Sequence, residues 1–184
     1  MKSTKILQTI LSAMVLSCVL SAHAEVKPLA VGGYSIELDV VLPAAPEAVY
    51  DAATGDISGW WDHSFSGHPK KLYIEAKPGG GFYEIFNDSG DGVLHATVNY
   101  AERGKMLRFT GPMGFSGRAL DSVVTWTFNP QGSGTRMHVT CNLVGQMSAD
   151  EAKIVDQVWQ HFIAERLKGY IVSGDYLHKA KAGK

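Results

Sequence analysis

The chain has 184 residues, 45% of them hydrophobic and 19% charged, with 17 basic against 18 acidic side chains. Such a length and apolar share suit one folded domain with a proper core and exclude a disordered polyelectrolyte. The near-even charge offers no concentrated basic face for nucleic acid, and two cysteines cannot build a disulfide framework.

Lys2 and Lys5 precede an apolar run from Ile6 to Leu20 and then Ala22-His23-Ala24, the charge, apolar and small-residue order of a secretory signal cleaved after Ala24. A retained membrane helix needs about 20 apolar residues and this run is shorter, so no stable membrane span is expected after cleavage. Val15-Leu16-Ser17-Cys18 offers lipoprotein processing at Cys18 as a minor alternative. Cleavage removes two lysines and no acid, moving the formal charge from −1 to −3. It also leaves Cys141 without an intramolecular partner, in an alternating run where it reads as a small buried hydrophobe. The expected location is periplasmic or secreted.

Residues 25–33 read as a flexible lead-in to a single domain over 34–176. Tyr34, Ile36, Leu38, Val40 and Leu42 alternate with polar residues and predict a half-buried strand that Pro43 ends. Pro46 suits a first helical position, and Glu47 to Ala53 form a short helix that Gly55 can stop. A second short helix or turn covers Ile57–Asp62, with Trp60 and Trp61 read as a packing anchor. Strand-like runs follow at 71–76, 82–87, 93–100, 106–110, 122–128 and 136–143, joined by short turns that imply antiparallel pairing. The longer link 111–119 is glycine-rich yet carries Met113 and Phe115, a candidate mobile flap.

Ser148 and Glu151 have capping-box spacing, and a long helix is predicted from there to about Ser173. At 100° per residue, Ile154, Val155, Val158, Trp159, Phe162, Ile163, Leu167 and Tyr170 share one arc, which requires an apolar partner surface. The sheet supplies it. Residues 177–184 are polar and read as a disordered tail.

The order of strand, two short helices, six strands and long helix resembles the Bet v 1-like or START-like superfamily, and in particular the branch named after activator of Hsp90 ATPase homologue 1. The resemblance rests on Leu42-Pro43-Ala44-Ala45-Pro46-Glu47-Ala48-Val49-Tyr50-Asp51-Ala52, on Ile57 through Trp60-Trp61, and on Pro78-Gly79-Gly80-Gly81-Phe82. It continues in Ser122-Val123-Val124-Thr125-Trp126-Thr127-Phe128, Gly134-Thr135-Arg136-Met137 and Trp159, so it spans about residues 34–175. It implies an α+β helix-grip fold: a curved antiparallel sheet of about seven strands, with a hydrophobic ligand cavity between the sheet and the C-terminal helix. It implies no shared catalytic signature. An exported chain would meet neither cytosolic Hsp90 nor ATP, so the resemblance is read as a fold and not as a co-chaperone role.

The expected lining of that cavity is Trp126, Phe128, Val155, Trp159, Phe162 and Arg166, with Met113 and Phe115 at the mouth. Arg166 falls within the apolar arc; either its guanidinium holds an anionic ligand head, or its stem covers apolar surface while the head reaches solvent. Glu84 shares strand phase with Phe82 and Phe86, so it is either solvent-facing or a buried carboxylate that needs a partner, with Arg166 the natural one. His95, Thr97 and Asn99 share a phase that reads either as a solvated face or as the site of a pocket proton carrier. Asp62, His63 and His68 match no metal-ligand spacing, and neither metal nor cofactor is expected.

The leading expectation is therefore a binding or carrier domain for a small hydrophobic or amphipathic molecule. The alternatives are a metal-independent enzyme akin to the cyclase, dehydratase or hydrolase relatives, using Glu84 and His95, and a scaffold for a partner protein.

Overall fold

The computed structural model describes residues 27–182, so the expected export signal at 1–24 lies outside the described residues. The first strand, β1 (Gly32–Leu42), leads into the short helix α1 (Pro46–Ala53). Seven further strands follow: β2 (Gly55–Asp56), β3 (Lys71–Ile74), β4 (Gly81–Ile85), β5 (Gly92–Glu102), β6 (Met106–Gly111), β7 (Leu120–Gln131) and β8 (Gly134–Gly145). All pair antiparallel in one sheet, in the order β1-β8-β7-β6-β5-β4-β3-β2.

The sequence-derived plan has seven strands, and the eighth is β2, a two-residue pairing of Gly55 with Ile74 and Asp56 with Tyr73. Two residues carry no readable alternation. Of the second short helix or turn expected over Ile57–Asp62, the turn is what forms. The Asp56 carboxylate accepts from the Ser58 N–H at 3.0 Å, and Trp60 and Trp61 N–H both donate to the Ile57 carbonyl. Between β3 and β4, Gly79 has φ +79°, and a Cβ on Gly80 would lie 2.2 Å from the Glu75 carbonyl oxygen, which accounts for the glycine run there.

The terminal helix starts as read. The Ser148 hydroxyl accepts from the Glu151 N–H, and the Glu151 carboxylate accepts from the Ser148 N–H, a complete capping box. The helix is continuous to Val172 but not uniform: α2 (Ala149–Gln160) passes through a π-helical stretch, His161–Leu167, before α3 (Lys168–Val172). Each π residue turns through a smaller angle than an α residue, so the buried face shifts around the axis. Ile171, roughly 160° from Val155 on an ideal wheel, is only 4% exposed, while Arg166 leaves the arc for the surface.

Residues 177–182, read from the sequence as a disordered tail, belong to helix α4 (Tyr176–Ala182). The Lys179 ammonium donates to the Asp51 and Ala52 carbonyls at 3.1 and 3.2 Å and also to that of Thr54. These are the carbonyls that the end of α1 leaves without intrahelical partners, where a cation is favoured. Burial of the ammonium pulls its pKa down to about 8.

The interior has two ends. Beneath α1 it is solid: Phe128 meets the Tyr50 ring edge-on at 5.3 Å, and Trp60, Trp126, Met137 and Leu167 are fully buried nearby in the same core. Each such side chain contributes on the order of 1.5–3 kcal/mol. Toward the start of β7, the end of β8 and the N-terminal half of the long helix, the space is not filled.

Candidate functional site

The unfilled end is a cavity of about 310 Å³. Its walls are apolar: Leu143 and Cys141 on β8, Ile154, Val155, Val158, Trp159 and Phe162 on the helix, Met113 and Phe115 in the link before β7, and Trp61 and Phe65 in the β2–β3 loop. The few polar groups are His63, Ser64, His95 and Ser122. Of the lining residues expected from sequence, Val155, Trp159, Phe162, Met113 and Phe115 are brought together here, and Trp126, Phe128 and Arg166 are not. Trp126 and Phe128 do face inward, but further along β7, in the packed half. Strand phase gives the face of the sheet and not the distance along it.

Trp61 is the main wall that sequence reasoning missed. Its indole stacks on Phe162 with ring centres 3.7 Å apart and meets Phe82 and Trp159 edge-on. The Trp pair therefore divides its work. Trp60 anchors the turn, its indole N–H donating to the Ala52 carbonyl at 3.2 Å, while Trp61 forms cavity wall.

Glu84 is completely buried and points inward with Phe82. Its partner is not Arg166 but the β2–β3 loop. Oε1 accepts from the Ser64 hydroxyl at 2.7 Å and from the Ser66 N–H and hydroxyl at 3.0 Å; Oε2 accepts from the Phe65 N–H at 3.0 Å. Desolvation would raise the carboxyl pKa, but these donors outweigh it and hold it down at about 2. Glu84 is thus an anion at neutral pH that clasps the loop forming one wall of the cavity.

His95 is 7% exposed and lies 3.3 Å from Glu84 Oε2 through Nε2 and 3.3 Å from the Met113 carbonyl through Nδ1. Its inward position comes from a β-bulge. Phe82 pairs with Ala96 and Tyr83 with Leu94, leaving His95 as the extra residue. As a result His95 and Ala96 both face in while Leu94 is 49% exposed, and the solvated face expected for His95, Thr97 and Asn99 holds only for the latter two. Both neighbours of the ring are acceptors, so both contacts are hydrogen bonds only when both ring nitrogens carry protons.

Arg166 sits outside the cavity. Its Nε is 3.2 Å from Asp62 Oδ2 and 3.3 Å from the Trp60 carbonyl, and its side chain is 43% exposed. Asp62 also faces His161, whose Nε2 is 3.0 Å from both carboxylate oxygens while its Nδ1 is 2.9 Å from Glu165 Oε2. Hydrogen bonds to Glu165 and then Asp62 raise the His161 pKa. His63 completes the group, its ring 5.8 Å from that of His161. The structure therefore joins Asp62 and His63 to His161, not to His68. That meeting spans about a hundred residues of chain and left no spacing signal.

Two cavity groups are chemically quiet. Burial pushes the Cys141 thiol up to about 11, so it is a neutral wall and not a nucleophile. The Ser122 hydroxyl donates to the Gly111 carbonyl at 2.7 Å. Met113, in a 3-10 turn over Met113–Phe115, has φ +50°, a left-handed conformation costly for a side chain of this kind.

An antiparallel sheet gripped by a long C-terminal helix over a partly empty apolar interior defines a helix-grip domain of the Bet v 1-like class. Residues 43–171 match the model of the family described as Activator of Hsp90 ATPase homolog 1-like protein, and the chain belongs to that family. Similar solved structures include an uncharacterised protein from Rhizobium leguminosarum, at 14% identity over 80% of this chain and 99% of that one, with a TM-score of 0.60. Ara h 8.0201 matches at 16% identity over 77% and 99% of the two chains, TM-score 0.57. The Aha1 dimer from Colwellia psychrerythraea matches at 17% identity over 75% and 96%, TM-score 0.53. At such identities the likeness is one of fold alone. No curated protein matches the chain significantly. Among the described residues no helix is long and apolar enough to cross a membrane.

Proposed function

We propose that this protein is an exported binding domain for a small hydrophobic or amphipathic molecule, held between the sheet and the first half of the terminal helix. The observation that carries the reading is the cavity of about 310 Å³ walled by Trp61, Val158, Trp159, Phe162 and Leu143, with His95, Ser64 and Ser122 as its few polar points. Ligand sites commonly have about 300–1,000 Å³ and this apolar-with-few-polar composition, so a ligand at the small end of that range fits best. Ara h 8.0201 shares the fold, which is compatible with such use. Export is supported by Lys2, Lys5, the apolar run and Ala22-His23-Ala24. Hsp90 activation, carried in the family's name, fits poorly with that leader.

Native mass spectrometry of protein from the periplasm of the exporting cell, followed by solvent extraction, tests both parts of the proposal. A processed chain carrying a small apolar molecule is the expected result. A chain that retains residues 1–24 removes export. Failure to bind 1-anilinonaphthalene-8-sulfonate at one site per chain removes the ligand reading.

The enzymatic alternative has one observation in its favour, the contact of Glu84 with a histidine on the cavity wall. Yet both imidazole nitrogens already face partners, and Glu84 stays ionised, so neither group is free to carry a proton to a ligand until the Met113 carbonyl moves away.

A further inference from the structure

Beside the cavity wall at His63, the side chains of Asp62, His63 and His161 bring one carboxylate and two imidazoles together with their donor atoms within 4.8 Å of one another. We infer that these three side chains form a site for a borderline divalent transition metal such as Zn²⁺, with Glu165 as its outer-sphere carboxylate and a fourth position left for solvent or a ligand.

The chemistry of the donors matches that class of ion. Two neutral imidazoles and one carboxylate are a common three-residue set for catalytic zinc and for non-haem iron, with solvent or ligand completing the coordination. The hard cations Mg²⁺ and Ca²⁺ prefer oxygen-only sets. An ion about 2.0–2.2 Å from each donor holds the donors roughly 3–4 Å apart. His161 Nε2 and the Asp62 oxygens, at 3.0 Å, already have that separation. Only His63 must move in by about 1 Å, and it is an exposed residue at the edge of its loop.

A second feature points the same way. His161 Nδ1 is held by Glu165 Oε2 at 2.9 Å, which fixes the ring with Nε2 aimed at Asp62. A carboxylate on the far nitrogen of a ligating imidazole is the usual means of setting its tautomer and raising its basicity. His161 also begins the π-helical stretch, and such stretches often occur at functional sites. The opposing feature is Arg166, 3.2 Å from Asp62 Oδ2. It engages one carboxylate oxygen and leaves Oδ1 to the ion, and its charge lowers affinity without closing the site. His63 also lines the cavity, so the site borders the space where a ligand's carboxylate or hydroxyl would lie.

The test is titration of the metal-free full chain with ZnSO4 in competition with a chromophoric chelator, with Co²⁺ absorption as a second readout. The expected result is one ion per chain, weakened at least tenfold by His63→Ala and by His161→Ala, weakened about 10–100-fold by Glu165→Gln, and tightened by Arg166→Leu. His68→Ala and His138→Ala, at histidines outside the cluster, serve as controls and leave affinity unchanged. His63→Ala is a loop substitution at an exposed position, so it reports even if His161→Ala does not fold. Absence of saturable binding overturns the inference. So does binding that persists in the His63 and His161 variants, or that falls equally in the two controls. None of these outcomes depends on whether an organic ligand enters the cavity.

Discussion

Replacing Glu84 with Gln isolates the clasp that holds the cavity wall. In the native protein the carboxylate faces donors on both oxygens, including the backbone N–H groups of Phe65 and Ser66. A glutamine amide can present its oxygen to only one of them; the other N–H then meets an NH2 group and is left without an acceptor. An orphaned buried donor costs about 1–3 kcal/mol, and loss of the charge-assisted bonds adds to it. The folded-state pKa of about 2 against an ordinary 4.5 gives a second route to the magnitude, about 3 kcal/mol in favour of the ionised form.

That contribution is fully present above the unfolded-state pKa and is lost as pH falls from about 4.5 toward 2, because the unfolded chain binds the proton first. For a domain of this size a loss of about 3 kcal/mol lowers Tm by roughly 6–12 °C. Calorimetry of both proteins at pH 7 and at steps down to pH 2.5 measures it. The gap between them should be wide at pH 7 and narrow through the acid range. A Gln variant melting within about 2 °C of the native protein at pH 7, or two curves falling in parallel with acid, would refute the clasp.

Val158→Trp fills the cavity from the helix side; since there is room for the ring, Tm should change by less than about 4 °C, while 1-anilinonaphthalene-8-sulfonate binding measured by fluorescence falls at least tenfold. Arg166→Leu removes a half-exposed ion pair worth under about 1 kcal/mol and should leave binding of that anionic probe within twofold, because the guanidinium lies outside the cavity. Ser148→Ala breaks the capping box and should cost about 1 kcal/mol in urea unfolding.

Much of this architecture is legible in the sequence because its signals are periodic. β1, β7 and β8 alternate without interruption, and Ser148 with Glu151 marks the helix start directly. The failures occur where a period breaks. β5 carries an extra residue at His95 and a second irregularity between Val98 and Tyr100, so counting by twos assigns His95 to the wrong face. The π-helical stretch does the same to the helix, and a strict 100° step carries Arg166 into a cavity it never reaches. The role of the β2–β3 loop left no signal: Ser64 and Phe65 become wall where Glu84, on a strand some twenty residues later, binds the Ser64 hydroxyl, the Phe65 N–H and both donors of Ser66. Trp126 and Phe128 missed the cavity for a different reason, since no sequence pattern says which end of the interior α1 will fill.

The clasp has a consequence for how this chain tolerates change. The β2–β3 loop takes its position from two backbone N–H groups and two small hydroxyls bound to a carboxylate on the sheet, while His63 and the Phe65 ring, which touch the cavity, take no part through their side chains. Substitutions at those two positions can therefore reshape what the chamber admits while the scaffold keeps its hold on the chain. Apart from Ser64, which does both, the groups that hold this segment and the side chains that face the chamber are different atoms.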